Sequence, residues 1–399
     1  LLCAFVVIIF FIRFNLPKRS NLLGPIFVNL LANRRRPPLA KLRGIKDPEQ
    51  FLWQILPHAA RTFSFVIVFL PPRMRRALAL AYLYCRMLDT YEDLLPTLPQ
   101  KQSALKRFID RFDDPGDLKP APSLEPDLTA DPRERTHVLL VNRAAFIDAH
   151  FDLLAPSQQA AICRLVRRMG EGMIWASRVF NDQKGVIQTP GQLSRYCWHV
   201  LGTPILFADE MQRLDRGLSP QIDDARLRLC AAVGEVIQLA NITRDLEKDV
   251  ERGIFYHPQL PGSEGAPRAH RIQEVRRELV LRALRRFRKF PPFFNGMPTA
   301  PVSRARGAAM LLIITTYVYY WRAAQKAGLP AFDQQQRITR SGGAVTWLRC
   351  VLSRRATAHF LQWLEKTVVV AFERCQPDRS KKFIWEDEQF DVVEILKGS

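Results

Sequence analysis

Gln238-Leu239-Ala240-Asn241-Ile242-Thr243-Arg244-Asp245-Leu246-Glu247-Lys248-Asp249 is the stretch on which the reading of this chain turns. It lies within a helical pattern that opens at Pro220 and closes at Gly253, with no proline between. At 1.5 Å per residue the predicted helix is roughly 50 Å long. Asp245 and Asp249 stand four residues apart, so their carboxylates share one helix face. Like charges so placed cost a few tenths of a kcal/mol, and a bridging cation removes that cost. Hard oxygen donors without His or Cys suit magnesium, with manganese as the substitute. An isolated Asp-x-x-x-Asp usually marks only a solvated face. Here Arg244 stands beside the pair, either as a salt-bridge partner or as a bidentate clamp for phosphate oxygens.

Outward from that stretch, a like arrangement recurs inside another apolar helical pattern. In Tyr82-Leu-Tyr-Cys-Arg86-Met-Leu-Asp89-Thr-Tyr-Glu92-Asp93, Asp89 and Asp93 are again four apart, and Arg86 precedes the first of them by three. This helix is expected to start at Pro71-Pro72 and to stop before Pro96, at about Leu95. Two such helices facing each other across a bundle would hold a diphosphate through metal ions. Elsewhere, apolar residues recur at three- and four-residue spacing, as in Leu78, Ala81, Leu83 and Met87, and strand signals are scarce. The fold class is therefore all-α.

Four segments are expected: an apolar stretch at 1–14, a basic connector at 15–48, a helical domain at 49–340 and a basic, amphipathic extension at 341–399. Residues 114–135 read as a Pro-rich loop, 136–181 as helical and 258–268 as a loop. The run 308–321 is apolar all round but too short to span a bilayer, which predicts a buried core helix. The stretch Leu1–Phe14 carries Arg13 near its end and is followed by Lys18, Arg19 and Arg34–Arg36. It reads as an N-terminal membrane anchor with the catalytic domain on the cytoplasmic side, although it falls short of the ~20 residues of a full span.

The 399 residues carry a formal charge of +20, which favours anionic partners: nucleic acid, a membrane surface or phosphorylated substrates. Seven cysteines form no Cys-x-x-Cys pair, which argues against zinc and disulfide scaffolds. The Arg-rich run Arg271–Phe290 could lie on an anionic membrane or simply be a solvated face. No nucleic-acid motif accompanies it, so no nucleic-acid partner is expected. No Gly-x-Gly-x-x-Gly strand-turn-helix is present, which excludes a Rossmann domain. His58, His137, His150 and His199 read as packing or hydrogen-bonding residues, and Cys197 as a small core residue.

These segments resemble, in order, the squalene/phytoene synthase family of head-to-head prenyl transferases. Ala60-Arg61-Thr62-Phe63-Ser64 resembles the family's opening segment. Tyr82 through Asp93 resembles the first aspartate motif. Met169–Met173 and Tyr196-Cys197-Trp198-His199-Val200 resemble the central motifs. Gln238 through Asp249, with Arg252-Gly253 and Tyr256-His257-Pro258, resembles the second aspartate motif and its tail. The resemblance implies a single-domain isoprenoid-synthase helical bundle around a central apolar tunnel, acting as a monomer. It implies that Asp89, Asp93, Asp245 and Asp249, with Asn241, hold magnesium. Arg61, Thr62, Arg86, Arg244 and Gln238 would contact the diphosphate, and Tyr196 would join the four aspartates as a catalytic residue. The implied reaction joins two farnesyl diphosphates through presqualene diphosphate.

Squalene, formed with NADPH as reductant, is favoured over phytoene or dehydrosqualene by three features. These are Asp-Thr-Tyr-Glu-Asp at 89–93, Met-Gly-x-Gly-Met at 169–173, and Gln336-Arg337-Ile338-Thr339-Arg340. In the last, Arg337 and Arg340 would meet the NADPH, although a solvated basic turn reads equally well. Where the family carries small or flexible residues, this chain has Leu201, Pro204 and Ile205, and Ile254 replaces an arginine. The proline is expected to kink its helix. A catalytically impaired scaffold of a lipid pathway is the reading from a different class that this altered wall suggests.

Overall fold

The structure is a computed structural model that describes residues 37–60, 62–262, 266–287, 300, 302–329, 337–374 and 391–397. All regular elements among them are helical, apart from an isolated parallel bridge between Val186 and Phe255. The helices are α1 (Leu39–Gly44), α2 (Pro48–Ala60), α3 (Thr62–Phe69), α4 (Pro72–Leu94), α5 (Leu98–Asp110), α6 (Pro132–Asn142), α7 (Ala144–Phe151), α8 (Pro156–Asp182) and α9 (Pro190–Cys197). A π-helical turn at Trp198–Gly202 follows. Then come α10 (Thr203–Asp215), α11 (Asp224–Glu251), α12 (Ala266–Phe287), α13 (Arg304–Lys326), α14 (Arg340–Leu352), α15 (Arg354–Arg374) and α16 (Val392–Lys397).

Helix starts follow local chemistry. Proline opens α4, α5, α6 and α9, where a missing N–H costs nothing. Side-chain caps supply the unsatisfied amides: the Arg226 N–H donates to Asp223 at 2.7 Å before α11, and the Arg133 N–H to Asp131 at 2.7 Å before α6. At the far end of α11 the chain turns at Gly253, whose φ of +77° suits glycine. The helix predicted from Pro220 to Gly253 thus spans Asp224–Glu251, because Asp223 rather than the proline sets its start. The expected helical stretch 136–181 divides into α6, α7 and α8, and the expected connector contains α1.

The described residues form two compact units, 37–178 with 207–221, and 179–206 with 222–397. In the first, α4 packs against α2, α5, α6 and α7. Tyr84, Phe112 and Phe151 meet edge to face, with centroids 5.1 and 5.9 Å apart along that chain. The Tyr84 hydroxyl donates to Asp148 at 2.9 Å, and Arg111 holds the other oxygen at 2.5 Å. The Pro-rich loop is tied down by polar groups: Tyr91 OH donates to the Pro122 carbonyl, and Asn142 bonds both backbone groups of Leu124.

In the second unit α11 is central, packed by α9, the π turn, α12, α13 and α16. The apolar helix α13 is buried along Ala308, Met310, Ile314, Tyr317 and Tyr320, as expected of a core helix. The Arg-rich helix α12 also turns inward. Val275, Leu279, Val280 and Leu284 are buried, Arg276 reaches the Thr243 carbonyl and Glu247, and Arg282 and Arg286 reach Glu235. That pairing makes α12 more than a solvated face, while Arg271, Arg277 and Arg285 stay exposed on its outer side.

The expected membrane anchorage is corrected. Among the described residues no helix is long and apolar enough to cross a membrane. The stretch 1–14 lies outside the described residues.

Candidate active site

The first acidic motif occupies the last turns of α4. Leu80, Leu83, Tyr84, Met87, Leu88 and Tyr91 are buried there. Tyr82, Arg86, Asp89 and Asp93 follow one another at spacings of four, three and four, so they form a single stripe. Arg86 Nη1 lies 3.0 Å from Asp89 Oδ2, and each side chain keeps about a quarter of its surface (25% and 24%). Its Nη2 donates to the Tyr82 hydroxyl at 3.0 Å. Burial raises the Asp89 pKa to about 6; Arg86 opposes the rise and Asp93 adds to it. Burial and Asp93 likewise lift Glu92 to about 7 against the pull of Lys101, 4.0 Å away. Asp89 and Asp93 crowd beside Arg86 and Glu92 crowds beside both carboxylates, and a divalent cation would relieve that crowding.

The second acidic motif lies on α11, where Gln238, Asn241, Asp245 and Asp249 form a stripe of the same kind. Asn241 Nδ2 donates to Gln238 Oε1 at 3.2 Å, and Arg244 Nη1 donates to Asn241 Oδ1 at 3.3 Å. Arg244 Nε donates to Asp245 Oδ1 at 2.9 Å, and its Nη2 holds Oδ2. The same guanidinium lies 4.7 Å over the Tyr319 ring. Both oxygens of Asp245 are therefore engaged by its neighbour. A cation held by Asp245 would compete with Arg244 for these oxygens, and a guanidinium freed in this way would suit phosphate oxygens. Among the described residues no three His, Cys, Asp or Glu side chains converge on one metal position. Carboxylate pairs are nonetheless a donor set that fits magnesium, which keeps waters and takes substrate phosphates for the rest of its sphere.

Tyr196 lies near the end of α9 within an aromatic group. Its hydroxyl is 3.3 Å from that of Tyr256, with ring centroids 5.5 Å apart, and Phe180 meets both rings edge-on. The Val186–Phe255 bridge fixes this placement: Ile187 N–H donates to Phe255 O and Phe255 N–H to Gly185 O, each at 2.8 Å. Gly185 is required there, because its φ is +83° and an added Cβ would lie 2.0 Å from the Gly253 carbonyl. Cys197 is fully buried, and burial holds its thiol well above the ordinary value, as befits a core residue.

The altered wall takes an unexpected form. The proline kink expected near Pro204 is instead the π turn, where the Thr203 N–H reaches back to the Trp198 carbonyl. Pro204 has no N–H for the Val200 carbonyl, so the chain widens by one residue and α10 restarts with proline at its second position. Gly202 lies against α11, where a Cβ added at Gly234 would sit 2.4 Å from the Gly202 Cα.

Arg61 lies outside the described residues. Thr62 opens α3 and Arg340 opens α14, but their side chains lie outside the description. Arg337 is exposed, with its guanidinium 5.5 Å from the Trp321 ring centre. Sequence reasoning missed Tyr82, Tyr319 and Phe180 as site partners. Tyr82 was findable from its i, i+4 relation to Arg86, whereas Tyr319 and Phe180 come together with their partners only through folding.

A family model described as squalene/phytoene synthase matches residues 56–343. The squalene synthase of Eremothecium gossypii is 28% identical over 217 residues, covering 52% of this chain and 45% of that protein. The 15-cis-phytoene synthase of Synechocystis sp. is 27% identical over 224 residues, covering 54% and 56%. The chain thus spans about half the length of the curated relatives it matches. A solved structure of TcSQS with the ligand BPH1237 superposes with a TM-score of 0.63 at 19% identity, covering 88% of this chain and 96% of that one, a likeness of fold.

Proposed function

The chain belongs to the squalene/phytoene synthase family, a family of prenyltransferases, and from that premise we propose that it joins two farnesyl diphosphates head to head, through presqualene diphosphate, to squalene. The observation that carries the reading is the Arg86–Asp89 pair beside Asp93, a crowded acidic stripe with an arginine already aimed along it. Magnesium held by Asp89 and Asp93, and by Asp245, Asp249 and Asn241, would supply charge stabilisation to the departing diphosphate.

The chain's own residues do the rest. Arg86 and Arg244 bind diphosphate oxygens, assisted by Arg61, Thr62 and Gln238. The allylic cation left behind is captured by the double bond of the second farnesyl group, and proton loss closes the cyclopropane. Tyr196 would relay that proton, a reading supported by its hydroxyl contact with Tyr256, and the faces of Phe180, Tyr196 and Tyr256 would favour a nearby cation. An apolar tunnel would exclude water from that cation. The cyclopropyl product still carries one diphosphate; its departure and a rearrangement of the resulting cation would follow, and NADPH, met by Arg337 and Arg340, would supply the hydride that quenches it.

Phytoene or dehydrosqualene synthesis is the second reading, favoured by the similarity to the Synechocystis phytoene synthase. Incubation with farnesyl diphosphate and magnesium, with and without NADPH, followed by lipid extraction, separates them. Squalene formed only with NADPH is expected. A C40 product from geranylgeranyl diphosphate without NADPH decides for the second reading, and absence of diphosphate release from any prenyl diphosphate refutes both.

A further inference from the structure

Helix α16 lies outside the residues matched by the family, yet it is built into the core of its unit. Val392 and Val393 are 1% and 4% exposed. They form one hydrophobic cluster with Trp198 of the π turn, Leu206 of α10, and Leu227 and Cys230 of α11. Asp391 fastens the start of the segment: its two oxygens accept from Arg228 Nε at 3.3 Å and Nη2 at 2.9 Å, and Oδ1 also accepts the Val393 N–H at 3.0 Å. The cluster also accounts for one departure in the 201–205 wall. Ile205, which stands at a position expected to be small or flexible, packs against the cluster that contains the two valines.

The Trp198–Leu206 segment is therefore held at two places. Gly202 abuts the backbone of α11 at Gly234, and Trp198 and Leu206 lie in the cluster completed by α16. Two residues before Trp198 stands Tyr196, in contact with Tyr256. We propose that Asp391–Lys397 is a positioning strap: it fixes the Trp198–Leu206 segment and, through it, the Tyr196 hydroxyl in the geometry the reaction needs. Asp391, Val392 and Val393 are positioning residues that touch no substrate. The proposal rests on the prenyltransferase reading for its catalytic consequence, but the docking of the strap can be measured independently.

The test uses the full chain with Val392→Asp, Asp391→Arg, the exchange pair Asp391→Arg with Arg228→Asp, and Val392→Ile as the conservative control. Diphosphate release from farnesyl diphosphate is measured per folded molecule, the folded fraction being set by circular dichroism. Hydrogen exchange is followed in peptides covering 196–206 and 72–94. Val392→Asp and Asp391→Arg are expected to lower kcat about tenfold or more while KM changes less than about twofold, since misplaced reacting groups lose rate rather than binding. Exchange should accelerate in 196–206 and stay unchanged in 72–94. Val392→Ile should match the parent, and the exchange pair should recover most of the lost kcat. Unchanged kcat and protection in Val392→Asp overturn the proposal, as does a loss of rate that only tracks the folded fraction. If the parent chain releases no diphosphate, the exchange data decide alone: faster exchange confined to 196–206 retains the strap while the enzymatic reading falls, and unchanged protection removes the strap.

Discussion

Asp89 shows how little a single carboxylate reveals until its neighbours are placed. Its spacing from Asp93 follows from helix geometry alone, and so does the stripe with Tyr82 and Arg86. The elevation of its pKa to about 6 does not, because that depends on the burial of this end of α4. The same contrast holds for Arg244. Its neighbour Asp245 is adjacent in sequence, but the aromatic face beneath it, Tyr319, is supplied by a different helix. Replacing Asp89 with Asn should reduce magnesium-dependent diphosphate release on the order of 10²-fold, the scale for loss of one preorganised electrostatic contact. Folding should change by less than about 1 kcal/mol, because the lost ion pair is partly exposed and Arg86 keeps Tyr82. Initial rates and a thermal melt on the same sample check both halves.

At the scale of elements, most helices were legible from periodicity and punctuation. Pro71-Pro72 and Pro96 bracket α4 as observed. The ends of α11 were displaced because a capping aspartate competes with a proline for the start. The split at Asn142-Arg143 was hidden, since no breaker stands there, whereas Pro156, which opens α8, is a start signal of the same kind as Pro72. Neither was the crossing of α11 with the π turn readable, because two glycines far apart in sequence declare nothing about each other. Gly234 is the more telling of the two. A methyl group there meets the backbone of Gly202 rather than a side chain that could yield. Gly234→Ala should therefore destabilise by about 1–3 kcal/mol, as overpacking does. A lower denaturation midpoint with unchanged m-value is the expected result, and an unchanged midpoint would show that the helices can part freely.

For the molecule as a whole, the charge of +20 was plain, but where it is spent was not. Part of it is internal. Glu235, 5% exposed, binds Arg282 at 2.8 Å and Arg286 at 3.1 Å, and accepts from Ser194, so that one carboxylate ties α9, α11 and α12 together. Burial alone would raise its pKa, but the two arginines outweigh that and hold it below the ordinary value. A depressed folded pKa contributes stability that is present above the unfolded value, near 4.5, and is lost as pH falls toward the folded one. Glu235→Gln should cost up to about 3 kcal/mol near neutrality, by stranding the mostly buried Arg282 and, less severely, the part-exposed Arg286. It should also flatten the fall of Tm below about pH 4.5, which melting curves across pH will read. The π turn has a consequence of another kind. It adds one residue to the helical path without adding a turn, so side chains before it are rotated by about 100° relative to those after it. That phase shift lets Tyr196 face Tyr256 while Leu206 enters the cluster with Trp198. Deleting one residue from 198–202 would remove that shift, and the tyrosine and the leucine could not both keep their partners.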